Sequence, residues 1–292
     1  MTESLLRAVR QELTDGGLEA GLLVRDLQTG DELGLDPDVP LPSASLVKVP
    51  LALATLERIH RGDLDGARTI EVPPGQIAVP GPTGLSRFRH PSWIAIDDLI
   101  YLSTCLSDGT AADALFDLTP PSYVTDLLRS WGLDGISVRH PMSDLTDTPA
   151  DRLDETHLAH TLAIDAASNI PQLDPTRASS GSARAYTDLL QALWTPSAIP
   201  APIAASVRSL MAHNLHRQRL TPDFSSDATT WSSKTGTLLN LRHEIGVAEH
   251  ADGTSYAVTV LTRSTVPAAT QPAAESLMST AARTLHDHLR QL

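Results

Sequence analysis

Ser45 and Lys48 are the pair in this chain whose residue types and spacing most directly imply chemistry. Between Leu46 and Leu56, Lys48 is the only charged residue, and apolar side chains surround the helical wheel, so a helix here must be buried on every side. Burial disfavours the ammonium form and pulls the lysine pKa down, which lets Lys48 accept a proton near neutral pH as arginine never could. Three residues apart, Ser45 and Lys48 share a face at the start of the helix. The serine hydroxyl then lies beside a base. The serine N–H, unpaired in a first turn and aligned with the helix dipole, can stabilise an oxyanion formed on attack. Pro50 fits a helix that begins close by.

The usage of basic residues sharpens the point. Of 22 lysines plus arginines only two are lysine, Lys48 and Lys234. Arginine replaces a surface lysine at little cost, so the two retained positions point to a need for a titratable amine. Lys234 opens the stretch Lys234-Thr235-Gly236-Thr237 on a predicted strand, where the glycine permits a ligand to approach the backbone closely. Ser107, in Ser107-Asp108-Gly109, falls at a break between two helical stretches.

These residues need elements to position them. An amphipathic helix is predicted over Thr2 to Leu13, then a hairpin of Ala20 to Leu27 with Asp31 to Leu35 turning at Thr29-Gly30. The Ser45 helix follows. Residues 63–91, rich in proline and glycine, read as irregular, and helices return at Ile96, at Thr110 to Leu118 and at Pro121 to Trp131. The stretch 139–181 holds at most one helix, around Asp154 to Ala163. Helical spacing resumes over Ser182 to Trp194 and Pro202 to Leu215. Three strands come next, Thr229 to Leu238, Asn240 to Glu249 and Ser255 to Thr262, and Ala273 to Leu292 closes as a helix. This order predicts an α/β (α+β) fold: a five-stranded antiparallel sheet built from both chain ends, flanked by the N- and C-terminal helices, with an inserted all-helical lobe. Residues 1–43 and 218–292 would form the discontinuous sheet domain and 44–217 the helical domain, with the active site in the cleft between them.

The motifs S-x-x-K at Ser45 to Lys48, the variant Ser107-Asp108-Gly109 of S-D-N, and K-T-G at Lys234 to Gly236 occur in one order along the chain. Over essentially its whole length the chain resembles the serine β-lactamase and penicillin-recognising enzyme family, class A-like in size. The resemblance implies a β-lactamase/transpeptidase-like fold with Ser45 as nucleophile, Lys48 as its base and Ser107 as a proton shuttle to the leaving nitrogen. Lys234 would hold Ser107 and attract a substrate carboxylate. The Thr237 N–H would complete the oxyanion hole with that of Ser45. Arg242, on the next strand, looks similar to the family's carboxylate-binding arginine; a solvated strand arginine is the alternative.

The sequence departs from the family pattern twice. Gly109 stands where the family usually has asparagine, removing an amide that would touch the substrate. The family's deacylating glutamate, with asparagine four residues later, has no counterpart between Thr156 and Gln191. Asp165, followed by Asn169, has the spacing with a shorter acid and is the candidate deacylation base; Glu155 is a weaker one.

A formal net charge of −13 argues against nucleic acid and anionic membrane surfaces as partners, and no run of 18 apolar residues exists to span a bilayer. The first 17 residues carry Glu3, Glu12 and Asp15 and no signal-type apolar region. With one cysteine, Cys105, which reads as a small core residue, the expectation is a cytoplasmic protein acting on a small-molecule substrate. The histidine pairs His157 and His160, His213 and His216, and His286 and His288 lack neighbouring ligands and read as solvated or capping residues. No metal and no cofactor is expected. The expectation is therefore a serine hydrolase working through a Ser45 acyl-enzyme on an amide, ester or lactam. An acyltransferase or esterase of small-molecule metabolism, and a catalytically impaired ligand-binding homologue, are the rivals.

Overall fold

The computed structural model describes residues 2–75, 83–146, 170–265 and 272–292. Its centre is a five-stranded antiparallel sheet of β1 (Leu18–Asp26), β2 (Glu32–Leu35), β8 (Thr229–Leu238), β9 (Leu241–His250) and β10 (Ser255–Ser264), in the order β2-β1-β10-β9-β8. The chain ends therefore meet side by side, with Leu18 opposite Ser264 and Asp26 opposite Tyr256. Because successive side chains alternate between faces, Leu22, Val24, Val258 and Val260 point one way and Leu23, Ala257 and Leu261 the other.

Both faces are covered, which is why these strands read as apolar runs instead of alternating with polar residues. Helices α1 (Thr2–Asp15) and α9 (Pro272–Leu289) pack on the first face, with Val9, Leu13, Met278, Ala282 and Leu285 buried against it. On the second face lies α6 (Ala183–Trp194), packed on β1, β9 and β10, and tied in by a buried hydrogen bond of 3.0 Å between the hydroxyls of Thr187 and Thr259. From there one continuous core runs into α2 (Lys48–His60), α3 (Ile96–Cys105), α4 (Gly109–Leu118), α5 (Pro121–Ser130) and α7 (Ala201–Ala212). The short α8 (Thr221–Phe224) leads into β8.

The helical lobe also holds two small antiparallel elements that the pattern reading leaves as loop. Strand β4 (Thr69–Val72) pairs with β5 (Ser92–Ala95), and β3 (Leu41–Pro42), β6 (Ile136–Ser137) and β7 (Ser180–Gly181) form a minimal three-stranded sheet. Of these, β3 leads directly into the turn that carries Ser45. Among the described residues no helix is long and apolar enough to cross a membrane.

Candidate active site

Ser45 does not begin an α-helix. It lies in a 3₁₀ turn, Ala44–Val47, that runs into α2 at Lys48. A 3₁₀ turn eclipses residues three apart, so the geometry aligns Ser45 and Lys48 more closely than the predicted α-helix would. Leu46 N–H donates to the Ser43 carbonyl at 3.0 Å, Leu46, Val47 and Val49 are fully buried, and Pro50 sits in the first turn of α2, where its missing N–H costs nothing. Ala44 takes φ +46°, a conformation that L-residues adopt at a cost and that recurs at functional sites.

From the second wall comes Ser107, in the break between α3 and α4 and likewise at positive φ, +58°. Asp108 caps α4, accepting from the N–H groups of Thr110 and Ala111, and also takes the Leu85 N–H and the Ser86 hydroxyl, the latter at 2.7 Å. The third wall is β8, the edge strand. Alternation sends Lys234 and Gly236 toward the Ser45 turn, and Leu238 opposite Leu241 closes a two-residue turn, so the N–H groups of Thr235 and Thr237 face away from β9 along the open edge.

The walls meet at the two lysines, both fully buried. Lys48 Nζ is 3.1 Å from Ser45 Oγ, 2.5 Å from the Ser107 carbonyl oxygen and 3.3 Å from Ser107 Oγ. Lys234 Nζ donates to Ser107 Oγ at 3.0 Å and to the Thr235 carbonyl at 2.8 Å. Among the described residues neither amine has a carboxylate partner in ion-pair contact. Burial accordingly lowers the Lys48 pKa to about 7, against an upward pull from Asp108 and Asp113. Lys234 falls well below the ordinary lysine value through burial first and then the charges of Lys48 and Arg219. A neutral Lys48 has a lone pair for the Ser45 proton.

Gly236 also sits in a close contact that the sequence reading did not give. A Cβ there would stand 3.0 Å from the Ser43 carbonyl oxygen, 3.1 Å from Leu46 Cγ and 3.3 Å from His243 Cδ2, so the glycine lets the strand approach the Ser45 turn itself. His243, fully buried, braces the same turn: it donates from Nε2 to the Pro42 carbonyl at 2.9 Å and accepts the Thr262 N–H on Nδ1 at 3.1 Å. Burial lowers its pKa to about 4, so this neutral tautomer persists at ordinary pH.

Arg242 lies opposite Thr237 and is buried, not solvated. Its Nη1 donates to the carbonyls of Leu239 and Leu241, 2.7 and 2.8 Å away, around the β8–β9 turn. The arginine that reaches Thr237 is Arg219, which the sequence reading missed. Its Nη2 donates to Thr237 Oγ1 at 2.6 Å, its Nη1 to the Gly236 and His243 carbonyls, and its Nε to Glu275 at 2.8 Å. The buried Glu244 seats the adjoining backbone by accepting the Leu220 N–H at 2.8 Å. No spacing or motif marks Arg219, since its partners come from α9, β8 and β9.

Gly109 opens α4 beside Ser107 and presents no side chain to the site. Asp165, Glu155, His157 and His160 lie outside the described residues. His213 caps the end of α7, its Nδ1 donating to the Ser209 carbonyl at 2.7 Å, and His286 and His288 lie in the last turn of α9, bonded to Asp287 and Thr2 respectively. Cys105 is a core residue: its thiol donates to the Leu210 carbonyl at 3.2 Å, and burial raises its pKa to about 11.

This fold, with serine and lysine one turn apart facing a Lys-Thr-Gly edge strand, is that of the class A β-lactamases and penicillin-binding proteins. A variant of PBP-A, determined as an acyl-enzyme complex with penicillin G, superposes with a TM-score of 0.78 at 18% identity, covering 99% of this chain and 97% of that one. An ancestral class A β-lactamase gives 0.76 at 20% identity, covering 97% and 99%. The chain belongs to the beta-lactamase enzyme family, whose profile matches residues 4–289, and is a serine hydrolase of β-lactamase type. The β-lactamase regulatory protein BlaB of Streptomyces cacaoi is 59% identical to it over 99% of both chains.

Proposed function

We propose that Ser45 is the nucleophile of this hydrolase and that Lys48, in its neutral form, is the base that activates it. The observation carrying this reading is the 3.1 Å contact between Ser45 Oγ and a fully buried lysine that has no ion-pair partner among the described residues. On attack the Ser45 proton passes to Lys48 Nζ as the Oγ–carbon bond forms, and the N–H groups of Ser45 and Thr237 receive the oxyanion. Collapse breaks the bond from the acyl carbon to the leaving nitrogen or oxygen, which takes its proton through Ser107, bonded to both lysines. Lys234 and Arg219, with the hydroxyls of Thr235 and Thr237, favour a small-molecule amide, ester or lactam that carries a carboxylate.

Deacylation is the slow step of the cycle in this reading. Gly109 supplies no amide, and the one acid at the family's spacing, Asp165, is a methylene short. A base misplaced by about 1 Å can lose on the order of a hundredfold in rate. A second reading follows from the 59% identical relative's designation as a regulatory protein: a slowly hydrolysed acyl-enzyme would report the presence of its ligand instead of destroying it. Mixing the protein with a chromogenic lactam and following acyl-enzyme decay by intact mass separates the two. Decay that keeps pace with steady turnover marks a hydrolase, whereas one equivalent released and then a persistent adduct marks the sensor. No adduct with any lactam or ester overturns both.

A further inference from the structure

Directly before Ser107, the carbonyl of Leu106 is held from opposite walls of the site. Thr83 Oγ1 donates to it at 2.9 Å, and His216 Nε2 lies 3.2 Å from it. A carbonyl oxygen only accepts, so the His216 proton is on Nε2. His216 is itself anchored. Its backbone N–H donates to Asn214 Oδ1 at 3.1 Å, and Asn214 Nδ2 donates to the His216 carbonyl and to Ser233 Oγ, both at 3.1 Å. Ser233 is the residue before Lys234. Leu215 N–H adds a bond of 3.0 Å to the Cys105 carbonyl. The segment 214–216 therefore spans from the residue before Lys234 to the residue before Ser107.

We infer that His216 is a positioning residue for Ser107: donating to the Leu106 carbonyl while Asn214 grips Ser233, it ties the Ser107 turn to the Lys234 strand. The need for such a tie follows from the backbone. Ser107 is held at φ +58°, a costly conformation for a serine, and it stays there only if the neighbouring peptide is pinned. In that conformation Ser107 Oγ lies 3.0 Å from Lys234 Nζ and 3.3 Å from Lys48 Nζ. Released, the peptide relaxes toward negative φ and carries the hydroxyl away from both amines. Thr83 performs the same service from the other side, from the segment whose Leu85 and Ser86 bind Asp108.

This inference rests on the proposed role of Ser107, and the test keeps the two apart. The assay is single-turnover acylation by a penicillin or a chromogenic ester. His216→Phe keeps the ring and removes the donor, and should slow the acylation step by on the order of ten- to a hundredfold with little change in binding. His216→Gln, which retains an N–H donor, should recover most of that loss. In a Ser107→Ala background His216→Phe should cost nothing further, because it acts only through that hydroxyl. A merely structural histidine would slow both backgrounds alike, and that result overturns the proposal, as does an unchanged rate for His216→Phe. If Ser107→Ala by itself acylates as fast as wild type, the role of Ser107 is wrong and the inference falls with it. Thr83→Val, with Thr83→Ser as its rescue, attacks the same carbonyl from the far wall and serves if His216→Phe does not fold.

Discussion

Lys48→Met replaces a buried amine by an apolar chain of similar length and should stabilise the fold under mildly acidic conditions while abolishing acylation. Burial lowers the Lys48 pKa from 10.5 to about 7. At about 1.4 kcal/mol for each tenfold change in proton affinity, that drop corresponds to roughly 5 kcal/mol of native-state cost near pH 6, where the amine is protonated folded or unfolded. Opposing it is the loss of the contacts to Ser45 Oγ, the Ser107 carbonyl and Ser107 Oγ. Ser107 Oγ keeps Lys234, so the main loss is the Ser107 carbonyl, whose orphaning costs about 1 to 3 kcal/mol. Desolvation outweighs it, and the expected net gain is roughly 2 to 4 kcal/mol near pH 6. The sign changes with pH. Because the folded pKa lies below the unfolded one, the unfolded chain holds the extra proton between about 7 and 10.5, and wild-type stability rises with pH through that window. By about pH 9.5 only some 1.4 kcal/mol of cost remains, and the variant should be no more stable than wild type. Parallel urea denaturation at the two pH values measures this. A variant less stable than wild type near pH 6, or a difference that does not move with pH, would refute the reasoning.

Acylation itself should climb with pH through about 7, as neutral Lys48 accumulates, and vanish in Lys48→Arg; a stopped-flow profile flat through neutrality contradicts the assignment. Gly236→Ala, whose methyl would press on the Ser43 carbonyl, Leu46 and His243, should cost about 1 to 3 kcal/mol in denaturation and slow acylation together, because the displaced atoms carry the Ser45 turn. Arg219→Ala leaves the mostly buried Glu275 unpaired and should destabilise by about 3 to 5 kcal/mol. Arg219→Lys should recover little, since one ammonium cannot span Thr237, Glu275 and two carbonyls, and urea midpoints of the three proteins decide it.

The sheet and most helices were legible because their periodicity is strong: β8 matches its predicted limits, and α5 ends one residue from them. The pair β4 and β5 was not, since each is four residues long and its partner lies some twenty residues away across prolines and glycines. Ser45, Lys48, Ser107 and Lys234 stood out through spacing, the order of three short motifs and the scarcity of lysine, and the fold brings these four side chains together. Arg219 and His216 were not legible. Their meaning comes from what they touch, and those partners are brought together by tertiary packing that leaves no local pattern. For Arg242 the strand was legible but not its partners, the Leu239 and Leu241 carbonyls among them, because a strand position does not say which way a long side chain folds. The glycine of Lys234-Thr235-Gly236 was noticed for close approach to a ligand, and the structure adds a neighbour that the sequence does not show, the Ser45 turn.

The central claim is that Ser45 becomes covalently acylated with neutral Lys48 as its base, and peptide-resolved mass spectrometry after exposure to a penicillin tests it most directly. Wild type should gain one equivalent, located on the peptide that contains Ser45. Ser45→Ala should gain none, and Lys48→Arg should gain none on the same timescale although its circular dichroism matches wild type. An adduct on any other residue, an adduct that survives in Ser45→Ala, or acylation of Lys48→Arg within about tenfold of the wild-type rate, a barrier difference of only about 1.4 kcal/mol, would contradict the account.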